Sequence, residues 1–196
     1  MKQFEAFNIV LGSGSPRRKK LLEEMGLSFT VSPSQCEEKI NPEWDFCEAA
    51  ENLALQKADA FDESLFSEST ILITADTIVC TESEILGKPL NKEEAFEMIS
   101  SLSGNTHQVI TGVCLKSSRS QKLFHVSTDV TFATLTKEEI SRYIDLFRPY
   151  DKAGAYGIQE WIGIIGVEHI EGSYFNVMGL PTHRLYSELK RFTESF

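Results

Sequence analysis

The chain has 196 residues, with 29 Asp and Glu against 19 Lys and Arg, and a net charge of -10. This length suits one domain or two small lobes, and a hydrophobic fraction of 41% is ordinary for a soluble globular protein. The acidic balance argues against a surface that follows nucleic-acid backbone or anionic lipid, because such surfaces need a basic field. We therefore expect neither a nucleic-acid nor a membrane partner, and any phosphate site must be local. No window approaches the roughly 18 consecutive apolar residues of a membrane span, so we expect a cytoplasmic protein.

The chain opens with the pattern of a strand, a helix and a second strand. Residues Phe7 to Leu11 form the apolar run of a buried strand. Ser15 is placed as a helix N-cap and Pro16 at the first helical position, with Gly26 ending the helix. Leu27 to Ser32 is the second predicted strand.

The rest of the chain alternates helix and strand signals around a hairpin-like middle. A capping box at Asp45 predicts a helix to about Glu63, and the apolar run at 70–75 predicts a buried strand that ends at Asp76. The later predicted elements are a helix near 92–101, strands near 106–117 and 121–134, a helix from Thr136 to about Phe147, a strand from Ile162 to Ile170 and a helix from Leu180 to Phe192. This alternation predicts an α/β fold, a mixed twisted sheet with flanking helices in two lobes around a cleft.

The turn Gly12-Ser13-Gly14-Ser15, between the first strand and its helix, is the clearest candidate for a phosphate cradle. It offers backbone N–H groups, the positive end of a helix dipole and two hydroxyls, while Arg17 and Arg18 add paired donors. The spacing matches neither the P-loop nor the dinucleotide fingerprint. The alternative is an ordinary capped helix with a solvated basic first turn, in which unpaired cations would be mildly unfavourable.

Four further charged residues are candidates for chemistry on phosphates. Asp76 follows a buried strand, where open α/β sheets usually bind ligands, and Lys88 lies in the rigid turn Gly-Lys-Pro. Glu38 lies in a polar loop and Lys57 on the second helix, and carboxylates are hard ligands for Mg²⁺ or Mn²⁺. Each has an ordinary alternative, namely a turn, a cap or a solvated surface residue.

The segment "YDKAGAYGIQEW" contains glycines and alanines, which let a ligand approach the backbone closely. It also contains polar side chains that could form hydrogen bonds with the edge of a nucleotide base. Equally, it is typical of a tight loop bent by glycines. The four histidines show no ligand spacing and are interpreted as structural: His107, His125, His169 and His183.

Taken together, the motifs resemble the Maf family of nucleotide pyrophosphatases from about residue 8 to about residue 190. The motifs that carry the resemblance are "SGSPRR" at 13–18, Glu38 in "CEEK", Lys57 in "LQKA", "ADTIV" at 75–79, "GKP" at 87–89, "LSGNTHQVITGV" at 102–113, "DKAGAYGIQ" at 151–159 and "GSYFNVMGLP" at 172–181.

The resemblance implies one domain over residues 1–196, with the fold of the inosine triphosphate pyrophosphatases (the Maf/Ham1 type), and often a homodimer. It implies a house-cleaning hydrolase that converts a nucleoside triphosphate to its monophosphate and pyrophosphate with a divalent cation, Mg²⁺ or Mn²⁺. It also suggests a link to cell division. The alternative class is a phosphate-binding regulatory protein of septation without strong catalysis, which would need no metal-binding carboxylate pair.

The family's site residues carry over to matching positions of this chain. The catalytic positions fall on Arg18, Glu38, Lys57, Asp76 and Lys88. Asp76 takes the position of the proton acceptor, and Glu38 and Asp76 are the expected metal ligands, with base and ligand roles for Asp76 both open. Substrate contacts are expected at Ser13, Ser15, Arg17, Thr77 and Gln159.

Three of these residues indicate the subgroup. Arg17, Thr77 and Gln159 resemble the members that act on dTTP and UTP, whereas the 7-methyl-GTP type carries different residues at these places. The chain departs from the family where Glu160 and Trp161 follow Gln159 in place of the usual Gly. It also has Arg148 where an acidic residue is common.

Overall fold

The computed structural model of the protein describes residues 2–194, apart from the side chain of Lys2. Within that range the α-helices are α1 (Pro16–Glu24), α2 (Phe46–Asp59), α3 (Lys92–Leu102), α4 (Lys137–Phe147), α5 (Trp161–Gly166), α6 (Tyr174–Val177) and α7 (Thr182–Thr193). The strands are β1 (Asn8–Leu11), β2 (Phe29–Val31), β3 (Thr70–Cys80), β4 (Ile85–Leu86), β5 (Thr106–Lys116), β6 (Gln121–Phe132) and β7 (Val167–Glu171). Short 3-10 turns occupy Lys2–Phe4, Glu63–Leu65 and Ala153–Ala155.

The strands form one mixed sheet in the order β2-β1-β3-β5-β6-β7, with β4 paired to β3. Strand β1 runs parallel to both neighbours, so that Ile9 lies opposite Phe29 on β2 and Ile71 on β3. Strands β4 and β7 are antiparallel to β3 and β6. The predicted mixed α/β sheet with flanking helices is confirmed. No helix between residues 2 and 194 is long and apolar enough to cross a membrane.

The chain divides into two compact units. Of the described residues, the first comprises 2–76, 111–126 and 179–194, and the second comprises 77–110 and 127–178. Two lobes were predicted within a single domain, and the cleft between them stays a prediction.

In the first unit, α2 packs closely on the sheet. A small buried cluster joins Val10 and Leu72 of the sheet to Ala54 and Ala58 of the helix. Gly112 permits this approach, because a Cβ there would lie 2.1 Å from the carbonyl oxygen of Ala50. Helix α2 is therefore seated on the sheet with no room for a side chain between them.

The second unit has its own core, in which α3 and α4 pack with strand residues. Ile99 of α3, Ile140 and Ile144 of α4, and Val79 and Val130 of the sheet are all almost fully buried. Burial of such side chains contributes roughly 1.5–3 kcal/mol each.

Local signals placed the helix starts correctly. The Ser15 hydroxyl caps α1 with Pro16 at its first position, and Asp45 and Thr136 open α2 and α4 with complete capping boxes. Gly26 has a left-handed φ of 71°, the conformation that commonly follows a helix end.

Three predicted bounds were wrong. Helix α2 ends at Asp59 and not at about Glu63, where a separate 3-10 turn begins. The strand predicted to end at Asp76 continues to Cys80, because Ile78, Val79 and Cys80 are also buried and extend the apolar run. The strand predicted from Ile162 begins only at Val167, and residues 161–166 form α5 instead. This helix requires a glycine at position 163, since a Cβ there would lie 1.8 Å from the carbonyl oxygen of Ile158. The helix α6 was not predicted.

Candidate functional site

The first unit brings together three of the predicted catalytic residues. The Lys57 ammonium contacts a carboxylate oxygen of Asp76 and lies 3.0 Å from a carboxylate oxygen of Glu38. The side chains of Lys57 and Asp76 are only 14% and 13% exposed, whereas that of Glu38 is 42% exposed. The cluster therefore holds one cation between two anions, and Glu38 is its most accessible member.

Helix α2 and strand β3 position Lys57 and Asp76. Lys57 lies in the last turn of α2, and Asp76 lies within β3. The buried Thr74 hydroxyl donates to the carbonyl oxygen of Ala54 at 2.7 Å, which fixes the helix to the strand one turn before Lys57. The short contact between Lys57 and Asp76 follows from that seating.

The loop that carries Glu38 is fastened to α2. The side-chain amide of Gln56 accepts from the backbone N–H of Lys39 at 2.9 Å and donates to its carbonyl oxygen at 2.7 Å. The Ser34 hydroxyl donates to the carbonyl oxygen of Lys57 at 3.0 Å. Glu38 lies between these two attachments and so reaches Lys57 although it belongs to no helix or strand.

Arg18 is buried beside this cluster. Its Nε donates to the carbonyl oxygen of Gly179 at 2.8 Å, and one terminal nitrogen donates to the Ser13 hydroxyl at 3.2 Å. Burial lowers the pKa of Arg18, while the nearby carboxylates of Asp76 and Glu38 act in the opposite direction. The guanidinium therefore interacts electrostatically with both carboxylates. The structure thus brings four predicted residues into one charged group: Arg18, Glu38, Lys57 and Asp76.

The hydroxyls of the turn at 12–15 form hydrogen bonds within the protein. The Ser13 hydroxyl accepts from the backbone N–H of Ser15 at 3.3 Å, and the Ser15 hydroxyl accepts from that of Arg18 at 3.4 Å. Arg17 is half-buried, while Lys19 and Lys20 are exposed beside Glu23 and Glu24. Contact of Ser13, Ser15 and Arg17 with a phosphate or base stays a prediction.

Three predicted site residues belong to the second unit. Lys88 is exposed in the loop after β4. A hydrogen bond of 3.1 Å, from the backbone N–H of Gly154 to the carbonyl oxygen of Gly87, fastens this loop to the 3-10 turn Ala153–Ala155. Thr77 follows Asp76 on β3, and because side chains alternate along a strand the two point to opposite faces of the sheet. Gln159 lies between the 3-10 turn Ala153–Ala155 and α5.

The segment before Gln159 adopts unusual backbone conformations. Gly154 and Ala155 have φ values of 66° and 59°, and the left-handed region costs a non-glycine residue such as Ala155 about 1 kcal/mol or more. Tyr156 is buried, and its hydroxyl lies 2.8 Å from Nε2 of His107. Burial lowers the pKa of His107 to about 4, so this imidazole is neutral at neutral pH. The structural interpretation of His107 is supported, since it packs edge-on against Tyr156 and Phe132.

A divalent cation fits the donor set only with help from a substrate. No group of three or more His, Cys, Asp and Glu side chains within residues 2–194 could hold a metal ion. Mg²⁺ is commonly bound by one or two carboxylates together with substrate phosphates and water. Glu38 and Asp76 supply such a pair, with the Lys57 ammonium now between them.

Sequence reasoning missed several residues that build the site. Gly179, in the motif "MGLP", was assigned no role, yet its carbonyl oxygen fixes Arg18. Gln56 and Tyr143 were also missed, the second being a buried phenol that accepts from the backbone N–H of Gly157 at 3.1 Å. No local pattern indicates these long-range contacts.

Comparison with known proteins gives full-length matches. The model of a family described as Maf-like protein matches residues 8–192. A protein of Porphyromonas gingivalis named dTTP/UTP pyrophosphatase is 48% identical over 100% of this chain and 99% of its own length. Proteins of the same name from Phocaeicola vulgatus and Flavobacterium johnsoniae are 48% and 47% identical, over 97% and 96% of this chain and 99% and 96% of their own lengths. Among solved structures, the Ham1 protein of Staphylococcus aureus is 16% identical with a TM-score of 0.42, over 64% of this chain and 72% of its own.

Proposed function

The chain belongs to the Maf family, and from that premise we propose that it is a nucleoside triphosphate pyrophosphatase acting on dTTP and UTP. The products are the nucleoside monophosphate and pyrophosphate. The observation that carries the proposal is the charged group of Arg18, Glu38, Lys57 and Asp76, two cations and two carboxylates within one compact unit. The names of the full-length relatives support the choice of substrate.

Glu38 and Asp76 would hold a divalent cation, Mg²⁺ or Mn²⁺, together with the substrate phosphates. When bound, the cation supplies charge neutralisation on the triphosphate and lowers the pKa of a water molecule. Lys57 pairs with both carboxylates, so a divalent cation held by them would displace its ammonium toward the phosphates.

In the chemical step, a water oxygen forms a bond to the α-phosphorus while the bond from that phosphorus to the bridging oxygen breaks. Asp76 accepts the water's proton, directly or through a second water. Lys57, Arg18 and Lys88 balance the charge that builds up on the leaving pyrophosphate.

The remaining predicted residues bind the substrate. The backbone at 13–15 and the Ser13 and Ser15 hydroxyls face the phosphates, and Arg17, Thr77 and Gln159 recognise the base. We also expect a cytoplasmic location and a homodimer, as the family resemblance implies.

The test is the release of pyrophosphate from a panel of nucleotides, with and without Mg²⁺. The panel contains dTTP, UTP, CTP, the purine triphosphates and 7-methyl-GTP. We expect metal-dependent release that is fastest with dTTP and UTP. Absence of metal-dependent release from every nucleotide would contradict the proposal and favour a phosphate-binding regulatory protein.

A further inference from the structure

A buried polar network surrounds the loop that carries Gln159. Tyr143 is fully buried on α4, donates its hydroxyl proton to one carboxylate oxygen of Glu160, and accepts from the backbone N–H of Gly157 at 3.1 Å. The other carboxylate oxygen of Glu160 lies 3.3 Å from the ammonium of Lys152, whose side chain is 9% exposed. Each oxygen of Glu160 is thus held by a different side chain of the second unit.

The Tyr143 phenol in this network stays protonated. Burial raises the pKa of Tyr143, and the hydrogen bond to Glu160 raises it further. The phenol therefore remains a donor to the carboxylate over the working pH range. Lys152 also pairs with Asp151 at 2.6 Å, so its buried charge has two partners.

The side chains of Gln159 and Glu160 both approach Gly157, which has no side chain of its own. A Cβ at Gly157 would lie 2.8 Å from Nε2 of Gln159 and 2.9 Å from Cδ of Glu160, so both side chains pack against the Gly157 backbone. The Glu160 carboxylate and the Gln159 amide therefore both lie against the backbone of Gly157, whose N–H is held by Tyr143.

The Gln159 amide keeps a buried acceptor. Its Oε1 is buried and has no hydrogen-bond partner among the described residues. A buried acceptor without a partner destabilises the protein unless a ligand supplies a donor. The imide N–H of uracil or thymine is such a donor, whereas cytosine presents an acceptor at the corresponding ring nitrogen.

We propose that Glu160 is a positioning residue that, through Tyr143 and Lys152, holds the Gln159 amide against Gly157 and thereby sets the preference for uracil and thymine over cytosine. The inference rests on the proposed function, in which Gln159 recognises the base. It assigns a task to Glu160, which directly follows Gln159 in the chain.

The test compares Glu160→Gln and Tyr143→Phe with the control Asp145→Asn. Asp145 also lies on α4, but it forms an exposed ion pair with Lys92. We expect both network variants to raise the KM for dTTP and UTP about tenfold, to change kcat less than about threefold, and to lower the ratio of kcat/KM for UTP over CTP about tenfold. The control variant keeps all three values.

Two readouts separate this role from a merely structural one. Circular dichroism and a thermal melt establish that each variant is folded at the assay temperature. A lowered Tm with an unchanged KM and an unchanged UTP-over-CTP ratio in either variant would overturn the inference.

Binding tests the inference independently of turnover. Calorimetry with UTP and CTP, without metal, reports the same base preference as a ratio of Kd values. We expect Glu160→Gln to reduce that ratio about tenfold, and an unchanged ratio overturns the inference. A wild-type protein that binds UTP over CTP but releases no pyrophosphate counts against the proposed function alone.

Discussion

The ammonium of Lys57 lies 3.0 Å from a carboxylate oxygen of Glu38, although one residue belongs to α2 and the other to an irregular loop. The same ammonium contacts Asp76, so the three side chains carry a net charge of about -1 with no metal bound. A divalent cation bound by the two carboxylates, as we propose, would compete with Lys57 for both of them.

Asp76→Asn should lower kcat for dTTP by roughly 10³-fold or more, because the amide neither accepts a proton nor carries the charge that a metal requires. Steady-state pyrophosphate release at saturating Mg²⁺ measures this. Asp59→Asn is the matched control, since Asp59 forms an ion pair with Lys116 at 2.5 Å in the same unit. Turnover within about tenfold of wild type would refute the role of Asp76.

Lys57→Met should have two opposite effects. It removes the cation between Glu38 and Asp76, so we expect the Mg²⁺ concentration for half-maximal activity to fall severalfold. It also removes a positive charge from the transition state, so kcat should fall about 10²-fold. Titration of activity with Mg²⁺ separates the two effects, with Lys116→Met as control. A half-maximal Mg²⁺ concentration equal to that of wild type would show that Lys57 does not compete with the metal.

Arg17→Trp should change which base is accepted more than how fast the phosphate chemistry runs. Arg17 is half-buried beside the cradle, whereas Lys19 is exposed and pairs with Glu23. Relative kcat/KM values for dTTP, UTP and 7-methyl-GTP measure the effect, with Lys19→Trp as control. The same ranking in wild type and Arg17→Trp would refute a base-reading role.

His107 should make the protein less stable as the pH falls below about 6.5. Its pKa is about 4 in the folded protein and near 6.5 when unfolded, so between these values the unfolded state binds more protons. The loss is complete near pH 4 and amounts to on the order of 3 kcal/mol. Above pH 6.5 the imidazole is neutral in both states and contributes no pH dependence.

The comparison of wild type with His107→Gln isolates this contribution from that of the carboxylates. Urea unfolding between pH 4.5 and 7.5 should show a shallower decline of stability for His107→Gln, which keeps an amide to pair with Tyr156. His183→Gln, at an exposed position on α7, is the control. Parallel curves for wild type and His107→Gln would show that His107 is not the titrating group.

Gly112→Ala should destabilise the protein by about 3 kcal/mol or more, because the new Cβ would lie 2.1 Å from the carbonyl oxygen of Ala50 and the backbone must shift. Gly87→Ala is the control, since a Cβ there meets nothing within 4 Å. The change in unfolding free energy in urea checks both. A Gly112→Ala protein as stable as wild type would contradict the close seating of α2.

Local patterns were sufficient for most of the fold. Ser15, Asp45 and Thr136 each fix a helix start within a few residues, so their capping patterns could be recognised without tertiary information. Local patterns predicted a strand after Gln159 where a helix forms, because β-branched residues such as Ile162, Ile164 and Ile165 are typical of strands. The close contact of Gly163 with the backbone of Ile158 is not visible in the local sequence.

The charged residues of the candidate site were predictable by type and motif, but their support was not. Arg18, Glu38, Lys57 and Asp76 were all named from the sequence, and the structure brings them together. The contact between Arg18 and Gly179 joins positions 161 residues apart, which no spacing rule anticipates. A single sequence therefore identifies the chemical groups, whereas the folded chain is needed to find what orients them.

The hydrogen bonds from Ser34 and Lys39 to α2 divide the long loop between β2 and α2 into shorter segments. Between β2 and α2 the chain runs from residue 32 to residue 45, but only residues 35–38 lie between the two attachments. An insertion at 40–44 lengthens a surface loop at a small entropic cost, whereas one at 35–38 displaces Glu38 itself. The segment at 40–44 is therefore the place where a peptide tag or a fluorescent label could be introduced without altering the chemistry of the site.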